Sequence, residues 1–159
     1  MKKVSVLFVC LGNICRSPAA EAIFLDLIRK KGLQERFIVD SAGTGSWHIG
    51  KKSDSRMRIA AKERGIIINS KARQINKDDF QKFNYILTMD NLNYHDVVNL
   101  RNEESQSDYS KILKMQEFAS KYSEKEVPDP YFGGDEGFNN VLDILGDSVD
   151  GFLDKVLQL

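Results

Sequence analysis

The stretch Val4-Ser5-Val6-Leu7-Phe8-Val9-Cys10-Leu11-Gly12-Asn13-Ile14-Cys15-Arg16-Ser17-Pro18 decides how the rest of the chain is read. Its first half is almost continuously apolar and rich in β-branched residues, the pattern of a strand covered on both faces, so it is expected to be the central strand of a parallel sheet. A seven-residue loop from Cys10 to Arg16 interrupts it. Ser17 and Pro18 then resemble an N-cap and first helical residue, and Ala20, Phe24, Leu27 and Ile28 recur at helical spacing until Lys30, Lys31 and Gly32.

Outward from this strand-loop-helix unit the alternation repeats. Residues 37–39 predict a second strand, residues 43–50 a glycine-rich loop, and Asp54 to Gly65 a helix. Residues 66–68 suit a short edge strand. Residues 85–89 predict a buried strand, with Asp90 capping a helix through about Leu100. Residues 112–115 fit strand or helix, and a final parallel strand completes the pattern. Val141, Leu142, Leu145, Val149, Phe152, Leu153 and Val156 put one apolar stripe on a long last helix, despite Gly146 and Gly151. The expected fold is therefore α/β, three-layered and doubly wound, with a mainly parallel four-stranded sheet whose ligands bind at the carboxyl ends of the strands. Residues 101–110 and 123–137 are expected to be the most mobile.

At 159 residues the chain suits one domain spanning 1–159. Its 23 basic and 23 acidic side chains cancel, which argues against a nucleic-acid or anionic-membrane partner. No apolar run is long enough for a membrane span, and the first residues lack a secretory pattern, so a cytoplasmic location is expected. The two cysteines, Cys10 and Cys15, make no disulfide framework and lack neighbours for a zinc site, so neither metal nor cofactor is expected.

The loop carries the chemistry. Around Leu11, Gly12, Asn13, Ile14 and Cys15 a short backbone can turn its N–H groups inward as an anion nest, with the following helix aiming its positive end at the same point. Arg16 adds a planar fork for two phosphate oxygens, and Ser17 can donate its hydroxyl to the Cys10 sulfur. Cations and a helix N-terminus favour a thiolate, so Cys10 is expected to attack phosphorus in line, forming a phosphocysteine that water hydrolyses. A tyrosine leaving group needs a proton. Asp129, bracketed by Pro128 and Pro130 and followed by Tyr131 and Phe132, is the candidate general acid.

These motifs, in order over nearly the whole chain, resemble the low-molecular-weight protein tyrosine phosphatases: Cys10 to Ser17, Asp40-Ser41-Ala42-Gly43-Thr44, Lys71-Ala72-Arg73-Gln74-Ile75, Tyr85-Ile86-Leu87-Thr88-Met89-Asp90 and Asp129-Pro130-Tyr131. The resemblance implies Cys10 as nucleophile, Arg16 as phosphate clamp and Asp129 as the acid that becomes a base for water. It implies Asn13 holding a strained turn of the loop, with Ser17, Ser41 and Asp90 supporting, and Trp47, His48 and Tyr131 lining the substrate pocket. Substrates would be phosphotyrosine proteins and small aryl phosphates, with acid phosphatase activity, and the protein a monomer. Two positions depart from the family: Ser70 stands where many relatives have a His that supports the loop Asn, and Phe132 replaces a second tyrosine, leaving Tyr131 as the place for any regulatory phosphorylation.

The resemblance further implies that Cys15 guards Cys10 by forming a reversible disulfide under oxidation. Two alternatives stay open at this point. One is an arsenate reductase on the same fold, which would relay electrons through a third cysteine that the chain lacks. The other is a phosphate-binding module without catalysis, which would not need Cys10 together with Asp129.

Overall fold

The computed structural model describes residues 2–102, 110–131 and 133–159. Four strands, β1 (Val4–Cys10), β2 (Phe37–Gly43), β3 (Tyr85–Thr88) and β4 (Lys111–Lys114), form a sheet of order β2-β1-β3-β4. Every pairing is parallel. Helices α1 (Arg16–Lys30), α2 (Ser55–Lys62), α3 (Asp79–Lys82), α4 (Asn91–Asn102) and α5 (Glu136–Leu157) cover it.

The apolar character of β1 follows from this layering. Val6 and Phe8 pack into a core with Phe24 of α1, Met57 of α2 and Phe152 of α5, whereas Leu7 and Val9 face a second core with Phe80 of α3 and Val97 of α4. Successive side chains of a strand point to opposite faces, so a strand buried on both sides needs apolar residues at nearly every position. Three layers result.

Topology also places the functional loops together. β1 pairs with β2 on one side and β3 on the other, with Cys10 opposite Gly43 and Val9 opposite Thr88. The segments that leave these three strand ends therefore share one edge of the sheet, at the point where the strand order reverses.

Several local expectations are corrected. Helix α1 begins at Arg16, with Cys15 as its N-cap, so the interruption after β1 is residues 11–15 and Ser17-Pro18 lie inside the first turn. Pro18 loses nothing there, because the first four helical N–H groups have no intrahelical acceptor. β2 runs on to Gly43, past the expected end at Val39. Residues 66–68 form no strand: Ile68 is buried but Ile67 is largely exposed, and the nearby bridges pair Lys52 with Lys71 and Gly43 with Gln74. Residues 111–114 are the fourth strand, and Met115–Phe118 turn into a 3-10 segment.

Gly151 is explained by that turn. A Cβ at this position would stand 2.0 Å from the Phe118 carbonyl oxygen, so its absence lets α5 lie directly against the segment. Of the two stretches expected to be mobile, residues 103–109 and 132 lie outside the described residues. Within the second, Val127 is fully buried and its N–H donates to the Met89 carbonyl at 2.8 Å. Among the described residues no helix is long and apolar enough to cross a membrane.

Candidate active site

The loop after β1 curls because its carbonyl groups are taken from outside. The N–H groups of Thr44, Gly45 and Asp54 donate to the carbonyl oxygens of Cys10, Leu11 and Ile14 at 2.9, 2.9 and 2.8 Å. In a planar trans peptide the C=O of one residue and the N–H of the next point in opposite directions. Outward carbonyls at 10, 11 and 14 therefore turn the N–H groups of Leu11, Gly12 and Cys15 inward. Gly43 backs the curl: a Cβ there would meet the Leu11 oxygen at 2.8 Å.

Asn13 closes the turn in the left-handed region, with φ of 57°. This conformation is uncommon for a residue with a side chain, and Asn is among the few that adopt it readily. Its amide Nδ2 donates to Ser17 Oγ at 2.8 Å and to Ser41 Oγ at 3.0 Å, while its Oδ1 accepts the Arg73 N–H at 3.0 Å. The loop is thus pinned from α1, β2 and the segment after α2. Arg73 is itself held by Asp40 and, through two hydrogen bonds, by Asp79.

Cys10 Sγ lies at the floor. It is 3.0 Å from Ser17 Oγ and accepts the Asn13 N–H at 3.3 Å. Ser17 is spent on this sulfur, and its hydroxyl makes no helix cap, which is why the helix start read from Ser17-Pro18 was displaced. Arg16 is only 3% exposed, and its Nη1 donates to Asp90 Oδ2 at 2.7 Å and to the Val127 carbonyl at 3.1 Å. Burial opposes its charge, but Cys10, Asp90 and Asp129 outweigh that and push its pKa up, so the guanidinium stays charged. Asp90 has two jobs: the other oxygen, Oδ1, accepts the Asn93 N–H at 2.8 Å at the start of α4.

Asp129 reaches the same space from the far end of the chain. Its Oδ2 is 3.6 Å from Arg16 Nη2, and its Oδ1 accepts the Tyr131 N–H at 3.0 Å. Leu11, Ile14, His48 and Tyr131 form walls above Cys10, Arg16 and Asp129, with Trp47 at the edge, enclosing a pocket of about 130 Å³ that Gly12 and Cys15 also line. His48 packs against Gly12, where a Cβ would meet its Cδ2 at 3.0 Å, and its ring centroid is 6.2 Å from that of Tyr131. Trp47 folds its ring over Gly45 and keeps an exposure of 67%, so it is a rim more than a wall. Every candidate site residue read from the sequence is thus in the pocket or in the network beneath it. Cys15 remains a protonated thiol, because burial first and then the charges of Asp54, Cys10 and Asp129 push its pKa far up.

Sequence reasoning missed Glu21, Asp54, Arg56, Arg73 as a brace, and the Val127 carbonyl. Glu21 Oε1 accepts the Ser41 hydroxyl at 2.5 Å, and Ser70 hydrogen-bonds the same carboxyl. Ser41 thus couples Glu21 to Asn13, with Ser70 lining the same groove as Glu21 at the outer end of that chain. Burial, assisted by Asp40, pushes the Glu21 pKa from 4.5 up to about 7, against the hydrogen bonds from Ser41 and Ser70 and the charge of Arg73. The folded state then disfavours the ionised carboxylate. Below pH 4.5 Glu21 is protonated whether folded or not, and stability is lost as pH rises through 7. Glu21→Gln should abolish this decline, which amounts to at most about 3 kcal/mol, in urea unfolding at pH 4.5 and pH 8.

The chain is similar to known proteins along nearly its whole length. Residues 5–158 match the family described as low molecular weight phosphotyrosine protein phosphatase. The chain is similar to the protein of that name from Schizosaccharomyces pombe, 42% identical over 156 residues and 98% of each chain. It is also similar to the human one, 40% identical over 153 residues, covering 95% of this chain and 94% of the relative. Among solved structures, a protein tyrosine phosphatase from Entamoeba histolytica superposes with a TM-score of 0.92 at 44% identity, covering 98% of both chains.

Proposed function

The chain belongs to the low molecular weight phosphotyrosine protein phosphatase family, and from that premise we propose that it hydrolyses phosphotyrosine and aryl phosphate monoesters through a phosphocysteine on Cys10. The observation that carries this reading is the sulfur held between Ser17 Oγ and the Asn13 N–H at the bottom of a pocket with Arg16 fixed beside it.

The inward N–H groups and the Arg16 fork take the phosphate oxygens and place phosphorus over the Cys10 thiolate. Attack forms the S–P bond as the P–O bond to the aryl group breaks, and Asp129 delivers its proton to the departing oxygen. Charge spreads over the equatorial oxygens where the donors already stand, so little reorganisation is needed. Water, deprotonated by Asp129, then cleaves the S–P bond and releases phosphate. The aromatic side chains Trp47, His48 and Tyr131 hold the ring of the substrate.

The test is hydrolysis of phenyl phosphate and a phosphotyrosyl peptide with a chelator present, together with acid-quench mass spectrometry for phosphate on Cys10. Turnover without any phosphocysteine would overturn the mechanism. An arsenate reductase reading is not favoured, since the chain has only two cysteines, and Asp129 beside Arg16 argues against a module that only binds.

Finer features complete the proposal. The match over residues 5–158 supports one domain, the balanced charge argues against a nucleic-acid partner, the free thiols suit a cytoplasmic location, the chain is taken as a monomer, and activity on simple esters would appear as acid phosphatase activity. Cys15 lines the same pocket as Cys10, and conversion of Cys10 to a neutral sulfenic acid would remove one of the charges that oppose ionisation of the Cys15 thiol. If peroxide converts Cys10 to the sulfenic acid, the Cys15 thiol displaces its hydroxyl, forming the disulfide and water. A dithiothreitol-reversible Cys10–Cys15 disulfide is expected after peroxide. Sulfinic Cys10 beside unmodified Cys15 would refute this guard.

A further inference from the structure

Asp129 sits midway between two anchor points of its loop. Two residues before it, Val127 is tied by its N–H to Met89 and by its carbonyl to Arg16. Two residues after it, the Tyr131 carbonyl accepts Arg56 Nη2 at 3.1 Å. The Tyr131 N–H, at the other end of the same residue, holds Asp129 Oδ1. Any shift of Tyr131 therefore carries the carboxyl with it, and sets where the other oxygen, Oδ2, stands relative to Arg16.

Arg56 is built to resist such a shift. Its guanidinium donates from Nε and Nη2 to both oxygens of Asp54, at 3.1 and 2.9 Å. It also lies over the rings of Tyr131 and Phe138, 5.6 and 4.7 Å from their centroids. Asp54 in turn donates its backbone N–H to the Ile14 carbonyl of the phosphate loop. One planar cation thus links the loop that would take the phosphate to the loop that would supply the proton, with α5 as backing.

We propose that Arg56 is a positioning residue for leaving-group protonation: it fixes the Tyr131 backbone so that Asp129 Oδ2 reaches the departing oxygen above Cys10. This rests on Asp129 being the general acid. A displacement of about 1 Å at a reacting group can cost up to about 100-fold, so loss of one of the two anchors is expected to cost about 10-fold in the protonated step. Lys offers a point charge where the fork is needed, so Arg56→Lys should behave as Arg56→Ala.

The experiment measures kcat/KM for phenyl phosphate, whose leaving group needs a proton, and for 2,4-dinitrophenyl phosphate, whose leaving group does not. It does so in the full chain, Arg56→Ala, Arg56→Lys, Asp129→Ala and the double variant Arg56→Ala with Asp129→Ala, with thermal melts to verify folding. Arg56→Ala and Arg56→Lys should lose about 10-fold on phenyl phosphate and less than about 2-fold on the dinitrophenyl ester. With Asp129 already removed, Arg56→Ala should cost nothing more on phenyl phosphate. Equal losses on both esters, no loss, or full additivity in the double variant would overturn the proposal. If Arg56→Ala does not fold, Arg56→Lys decides on the same criteria. An Asp129→Ala enzyme indifferent to the leaving group would sink the acid assignment and this inference together, whereas indifference confined to the Arg56 variants sinks this inference alone.

Discussion

Cys10→Ser should reduce hydrolysis of every phosphate ester to assay background, a loss of roughly 10,000-fold or more. The surroundings of the sulfur explain the severity. Ser17 Oγ and the Asn13 N–H are hydrogen-bonding groups suited to stabilising an anion, not to generating one. The other charged group at the floor is the Arg16 guanidinium, whose protonation is reinforced by Asp90 and Asp129. None of these can take a proton from a serine hydroxyl, and Asp129, which must carry its proton for the leaving group in this step, cannot also act as the base for a weaker nucleophile. A thiol crosses that gap by its own acidity; an alcohol does not.

The same variant should keep its grip on the product. The inward N–H groups of Leu11, Gly12 and Cys15 and the Arg16 fork are unaltered by exchange of sulfur for oxygen, and loss of a negative charge at the floor removes repulsion against a phosphate dianion. Isothermal titration of Cys10→Ser with inorganic phosphate should therefore show binding at least as tight as in the parent chain, while phosphate release from phenyl phosphate is lost. Retained turnover in a Cys10→Ser preparation verified by mass spectrometry would end the assignment of Cys10 as nucleophile.

What could be read from the sequence divides along a physical line. β1 was legible because double burial leaves a signature in consecutive residues, and α5 because its stripe repeats over about four turns from Val141 to Val156. Cys10, Arg16 and Ser17 were legible because the loop and helix start bring near neighbours in sequence into one place. Residues 66–68 misled because three apolar residues suit a strand, yet a strand exists only by pairing, and Ile68 is satisfied by the core without a ladder. Ser17 misled because its hydroxyl has a better partner than the helix end. Glu21 and Arg56 were invisible for a related reason. Their roles depend on Ser41 and Ser70 in one case and Tyr131 in the other, and nothing in a lone glutamate or an arginine near a helix start reports a partner 20 or 75 positions away.

Asp129→Ala should lower kcat/KM for phenyl phosphate by about 100-fold or more, with a much smaller effect on 2,4-dinitrophenyl phosphate. The distinction follows from which steps each constant reports. kcat/KM covers events up to phosphoryl transfer to Cys10, where the proton matters only if the leaving oxygen is basic. kcat also includes hydrolysis of phosphocysteine, and by then the aryl group has gone. Asp129, now ionised, is the carboxylate that lines the pocket among the described residues and can take a proton from water, whereas Asp90 lies outside that lining, held by Arg16 at 2.7 Å. In Asp129→Ala, kcat should therefore fall by a similar factor for both esters, and phosphocysteine should accumulate on the dinitrophenyl substrate as a burst of dinitrophenol followed by slow turnover. A variant that shows the leaving-group dependence but no burst would leave Asp129 as the acid of the first step and require another base for the second. One that shows neither would remove it from the chemistry.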